Sequence, residues 1–153
     1  MQTQSRYALM APLRHRFASG MRVGADLVEV SAVARTVRDF GARYLQRIYT
    51  AGELAYCQAA ATDPAPHLAA RFAAKEATVK VLRPRPEDEG IDWRSIEVVR
   101  CDGGWCRIAL HGAASRLGGR AGLHNFEVSL SHAEQYALAV VVAASADTGG
   151  AEQ

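Results

Sequence analysis

The chain has 153 residues and a mass of 16.5 kDa, room for one compact domain burying ~70% of its unfolded surface and too little for two. Apolar residues make up 49% and charged residues 22%, ordinary globular usage that excludes intrinsic disorder and low-complexity architecture. Eighteen Lys and Arg against sixteen Asp and Glu leave a net charge of +2, too small to argue for a nucleic-acid surface, so any acidic partner has to be met locally.

Three cysteines, Cys57, Cys101 and Cys106, have neither C-x-x-C spacing nor paired histidines, which suggests no disulfide framework and no structural zinc; a reducing, cytoplasmic setting fits. The longest apolar run, Tyr136 to Ala144, is far short of the ~20 residues that span a bilayer. Residues 1–20 carry Arg6, Arg14 and Arg16, no acid and no secretory apolar segment, and Met21 stands before the first strand-like run. They read as a dispensable extension, as sequence ahead of the true start at Met21, or as an organelle-targeting arm, with the domain over residues 21–145 and a short tail over 146–153.

Val23 to Val30 is β-branched and mostly apolar, which predicts a buried strand in which Asp26 is the residue a plain core strand would not choose. Ser31 then offers a cap to an amphipathic helix with Val33, Val37 and Phe40 on one side and Arg35 and Arg38 on another. Gly41 marks its predicted end, and Tyr44 to Tyr56 reads as a second helical stretch with Thr50 as a cap. Asp63-Pro64-Ala65-Pro66 opens a long helix over His67 to Leu82. In it Leu68, Phe72, Val79 and Leu82 form one stripe and Ala69, Ala73, Glu76 and Lys80 the next. The alanines allow another backbone to approach the face that carries Glu76. Arg83-Pro84-Arg85-Pro86 ends the helix, and Glu87 to Gly90 reads as an acidic loop.

From Trp93 the pattern turns to strands: Ile96 to Arg100, Trp105 to His111, Phe126 to Ser131 and Tyr136 to Ala144, with turns at Asp102-Gly103-Gly104 and Ala133-Glu134-Gln135. Ala113 to Leu117 predicts a brief helix closed by Gly118 and Gly119. Helices early and strands late, without internal repeats, make the fold class α+β, a single small domain with an antiparallel sheet against a long helix.

Glu76 and Lys80 stand four residues apart on the long helix, and an exposed pair at that spacing is an ion pair of about 0.3–0.5 kcal/mol. Placed beside Ala69, Ala73 and Phe72, the pair borders packed structure and becomes a site candidate. If the strand holding Asp26 lies against this helix, two carboxylates without a Cys or His set suit a hard cation such as Mg²⁺, which takes one or two protein carboxylates and leaves its other positions to water and phosphate. Arg71, Lys75 and Lys80 would then face phosphate oxygens. The competing reading of Asp26 is an ion-paired core carboxylate.

Val23-Gly24-Ala25-Asp26-Leu27-Val28-Glu29, followed by Arg71-Phe72-Ala73-Ala74-Lys75-Glu76-Ala77 with Lys80, Ile96-Glu97-Val98 and Ser129-Leu130-Ser131-His132, resembles the holo-acyl-carrier-protein synthase family of 4′-phosphopantetheinyl transferases, over about Met21 to Ala144. The resemblance implies transfer of the 4′-phosphopantetheine arm of coenzyme A to a serine of an apo acyl carrier protein, releasing 3′,5′-adenosine bisphosphate. It implies Mg²⁺ on Asp26 and Glu76, Lys80 at the reacting phosphates, Arg71 and Lys75 on coenzyme A phosphates, Ser131 and His132 as further ligand contacts, and a homotrimer with sites between subunits. The general base stays open. For His132 the bland reading is a turn histidine bonded to backbone, and for Ser131 a solvent-facing strand residue.

An acidic carrier protein would meet Arg35, Arg38 and Arg43, although a solvated basic face is the commoner fate of such a pattern. Two departures stand out. Ala32 occupies a position where the family usually has arginine, with Arg35 one helical turn later; and Leu82-Arg83-Pro84-Arg85-Pro86 replaces a Gly-containing loop, so amide contacts there are lost and Arg83 and Arg85 offer replacement charge. These departures are the motive for an alternative, a non-catalytic coenzyme A or carrier-protein binding module. Whether the carrier serves fatty-acid or polyketide assembly is left open.

Overall fold

A computed structural model describes residues 19–60 and 62–146. The expected extension falls outside the described residues except for Ser19 and Gly20, and the expected tail except for Ala146.

Strand β1 spans Ser19–Glu29 and pairs antiparallel along its whole length with β5, Tyr136–Ala146. Both strands outrun the expected limits, because the register carries pairing out to Ser19 opposite Ala146. The remaining strands are β2 (Ile96–Arg100), β3 (Cys106–Leu110) and β4 (Leu123–His132), and the five lie in the order β1-β5-β4-β3-β2, every neighbouring pair antiparallel. The turns expected at Asp102-Gly103-Gly104 and Ala133-Glu134-Gln135 close β2–β3 and β4–β5. β4 begins earlier than expected, through an irregularity between His124 and Glu127 that a period-two pattern cannot signal.

Helix α1 runs over Val30–Ile48 without stopping at Gly41, which instead kinks it at φ 53°, ψ −137°, a conformation that favours glycine. Ser31 is not its cap; the hydroxyl donates to the Glu29 carboxylate from inside the first turn. Helix α2 covers Ala51–Ala60, and here Thr50 caps as expected: its Oγ1 accepts from Glu53 N at 3.2 Å while Glu53 Oε2 accepts from Thr50 N at 2.8 Å. Helix α3, Ala65–Leu82, starts two residues before the expected His67 and ends where Arg83 turns left-handed at φ 53°. Helix α4, Gly112–Arg120, continues through Gly118 and Gly119.

Small side chains determine how α3 sits. Ala69, Ala73, Ala74 and Ala77 on the helix and Ala137, Ala139 and Ala143 on β5 are all fully buried, so two alanine surfaces meet and the helix axis lies low across the sheet. Gly24 permits the same approach on β1: a Cβ there would lie 2.2 Å from the Ala77 carbonyl oxygen. The α3 face of the sheet is thereby covered. On the opposite face of β1 and β5, Met21, Val23 and Leu27 are 79%, 64% and 61% exposed and Leu138 is exposed beside them.

Candidate active site

β-pleat alternation puts Arg22, Gly24 and Asp26 on the face of β1 that looks at α3. Ala77 seated on Gly24 brings the adjacent Glu76 to Asp26. Burial, the Asp26 charge and, in opposition, the Lys80 charge act on Glu76, and the net effect holds its carboxyl above the ordinary glutamate range. Lys80 Nζ lies 2.8 Å from Asp26 Oδ1 and donates to the Ala25 carbonyl at 2.7 Å. The within-helix Glu76–Lys80 pair expected from spacing is therefore replaced by a strand-to-helix bridge, with the lysine about half exposed and turned over the two acids.

Among the described residues no group of three or more His, Cys, Asp or Glu side chains gathers for a metal. Two hard oxygen donors that repel each other, one of them already resisting ionisation, fit Mg²⁺, whose other positions go to water and phosphate.

Lys75 has to be corrected. It is fully buried, its Nζ is 2.9 Å from Glu53 Oε2, and it donates to the carbonyls of Trp93, at 3.0 Å, and Ile96. Glu53 is equally enclosed and also accepts from Val98 N at 2.9 Å. Burial lowers the lysine's proton affinity and the Glu53 charge opposes that. Every hydrogen of this ammonium is engaged inside the protein, so it presents none to a phosphate. The sequence hides this because Lys75 and Glu76 are adjacent yet project from the helix about 100° apart.

Ser131 and His132 part company. Ser131 pairs with Leu138 and so stands on the outward sheet face, away from α3, whereas His132 pairs with the buried Ala137 and turns toward it. The His132 ring packs edge-on against His67 at 5.0 Å, His67 against Tyr56 at 5.8 Å, and the guanidiniums of Arg71 and Arg100 lie 4.2 Å and 5.1 Å from the Tyr56 ring centre. Arg100 also donates to the Tyr56 hydroxyl at 2.8 Å. Arg71 is 3% exposed, donates to the His67 carbonyl at 3.3 Å, and keeps a buried Nε with no hydrogen-bond partner. Burial, then the charges of His132, Arg71 and Arg100, hold His67 below the ordinary imidazole range.

Of the expected residues, Asp26, Glu76 and Lys80 meet at one point, and Arg71 and His132 belong to a cationic group toward the N-terminal end of α3. Tyr56, His67 and Arg100 were not singled out for that group; they come from three separate segments, and only the packing of α2 and β2 on α3 joins them. On α1, Arg35 lies 3.8 Å from Glu29 and Arg38 lies 3.7 Å from Asp39, both pairs exposed, and Phe40 beside them is 64% exposed.

Residues 22–141 match the model of the 4′-phosphopantetheinyl transferase superfamily. A holo-[acyl-carrier-protein] synthase of Koribacter versatilis is 41% identical over 119 residues, 78% of this chain and 94% of the relative. The coenzyme A complex of the Chronobacterium ammoniagenes synthase superposes with a TM-score of 0.73 at 28% identity, covering 81% of this chain and 96% of that one. The Neisseria meningitidis holo-[acyl-carrier-protein] synthase gives 0.69 at 31% identity, covering 79% and 95%. A strand aspartate facing a helix glutamate, on a sheet and helix that superpose on these enzymes, makes the chain a transferase that belongs to the holo-[acyl-carrier-protein] synthase family.

Proposed function

We propose that the protein transfers 4′-phosphopantetheine from coenzyme A to a serine of an apo acyl carrier protein, with Mg²⁺ held by Asp26 and Glu76. The observation that carries this reading is the meeting of Asp26, Glu76 and Lys80 across the β1–α3 contact. The names of the relatives support it, as does the coenzyme A bound by the Chronobacterium ammoniagenes enzyme. When bound, Mg²⁺ supplies neutralisation of the diphosphate charge. Lys80, its side chain about half exposed, turns from Asp26 onto the reacting phosphoryl oxygens. Glu76 takes the serine proton directly or through a water as the serine oxygen bonds to phosphorus and the bond to the adenosine bisphosphate breaks. Arg71 and His132, joined by Arg100 and His67, hold the phosphates of the nucleotide end.

The carrier protein docks its acidic surface on α1 near Arg35 and Arg38, with Arg35 standing in for the arginine that Ala32 replaces, and Phe40 adds an apolar contact. The uncovered apolar face of β1 and β5 is buried in a homotrimer, which sets the outward-facing Ser131 toward a neighbouring subunit. The test is incubation with coenzyme A, Mg²⁺ and an apo carrier followed by intact mass. A carrier heavier by one phosphopantetheine is expected; a complex that forms without modifying the carrier would overturn the reading in favour of a binding module.

A further inference from the structure

The cationic group around Arg71 is not the only one. The last turn of α3, the start of β1 and the end of α4 enclose a cavity of about 400 Å³. Arg22 opposes Ala143 on β5, while Asp26 opposes Ala139 and His132 opposes Ala137. At ~3.3 Å per strand residue the cavity is therefore ~13 Å from the Asp26 level and ~20 Å from the His132 level.

Four arginines line it, Arg22, Arg83, Arg85 and Arg120, with a single acid, Asp88. That acid is already committed: Asp88 accepts from the Arg85 backbone N–H at 2.7 Å and from Arg120 at 2.9 Å, which fixes the loop and one guanidinium in place. Arg22 donates through Nη1 to the carbonyls of Val81 at 3.2 Å and Leu82 at 3.4 Å. It thereby offsets the negative end of the α3 dipole, which would otherwise repel an anion. Arg83 has no ion pair among the described residues, and Arg85 has only an exposed one to Glu87 at 3.8 Å. Leu82 and Leu117 give the cavity an apolar lining.

We infer that this cavity is a second anion site, separate from the Asp26–Glu76 centre, that takes a small molecule bearing a diphosphate or two phosphate groups. Guanidinium forks match phosphate oxygens two at a time, and four of them outweigh the one engaged carboxylate. A cavity of about 400 Å³ falls within the usual size of a small-molecule pocket, which suits an occupant of that class. Arg83 and Arg85, the charges that replace the Gly-containing loop, thus line a cavity shared with α4 and the start of β1.

Inorganic pyrophosphate titrated calorimetrically into the full chain, with a chelator keeping divalent ions from Asp26 and Glu76, tests this. One binding event is expected to survive Arg71→Gln and to weaken at least tenfold in the double variant Arg83→Gly, Arg85→Ser. Glycine suits the left-handed backbone at position 83, so the fold is kept and the melting temperature reports it. Arg120→Gln gives an independent second reading and should weaken the same event. The site is overturned if pyrophosphate does not bind, if binding is lost in Arg71→Gln and unchanged in the arginine variants, or if an acidic octapeptide binds there in its place.

Discussion

Ionisation of Glu76 is opposed by burial and by the facing Asp26, and Lys80 only partly offsets them. Such a carboxylate costs the metal-free protein stability, which leads to an expectation opposite to that for an ordinary packed side chain. Glu76→Gln should lower phosphopantetheine transfer by at least about 100-fold, while the melting temperature measured without divalent ions is unchanged or higher. A fall in melting temperature would show that the carboxylate serves packing. His67 is the second case. Its folded value lies below the ordinary imidazole range because partial burial disfavours its charged form and the neighbouring His132, Arg71 and Arg100 oppose it further. The sign follows: the folded state binds fewer protons than the unfolded one, so this group's contribution is present above the unfolded value and is lost as pH falls through the folded one. In an NMR titration the His67 ring should titrate low, and Arg100→Gln should move it upward toward the ordinary range.

At the scale of elements, α3 is held from two sides, and each contact predicts a distinct failure. The Glu53–Lys75 pair joins α2, α3 and the start of β2 with all its polar atoms satisfied. Lys75→Met strands a buried carboxylate, and breaking such a pair from one side costs about 3–5 kcal/mol. Denaturant unfolding should show that loss, while the KM for coenzyme A of the protein that remains folded stays at the wild-type value; a raised KM at unchanged stability would return Lys75 to the phosphate site. On the other side, Gly24→Ala drives a methyl into the Ala77 carbonyl. Overpacking costs about 1–3 kcal/mol, and the clash with backbone puts this one at the upper end. Because the strand and helix must separate just where Asp26 and Glu76 meet, activity at a temperature where the variant is folded should fall as well, which an assay well below its melting midpoint checks.

For the whole molecule the decisive feature is a sheet covered on one face. Met21, Val23, Leu27 and Leu138 leave exposed apolar side chains on the other face, and clustered exposed apolar groups mark interaction surfaces. If this face closes the proposed trimer, Leu27→Lys should give smaller species in sedimentation velocity and reduce transfer, without lowering the helix content seen by circular dichroism. If wild-type protein sediments as a monomer with full activity, the trimer is wrong. Among the described residues no helix is long and apolar enough to cross a membrane.

Local pattern alone settled the α+β class, the order of the elements, the cap at Thr50 and the candidacy of Asp26, Glu76 and Lys80, because hydrophobic period, turn residues and an out-of-place acid are properties of neighbours along the chain. The tertiary structure decided the rest. It turned Lys80 from Glu76 to Asp26, took Lys75 into the core, put Ser131 on the far face, and drew Tyr56, His67 and Arg100 to Arg71. Each of these depends on which surface another element covers. Two residues adjacent in sequence can face water and core respectively, and which one does so is decided only when the sheet, α2 and α3 are brought together.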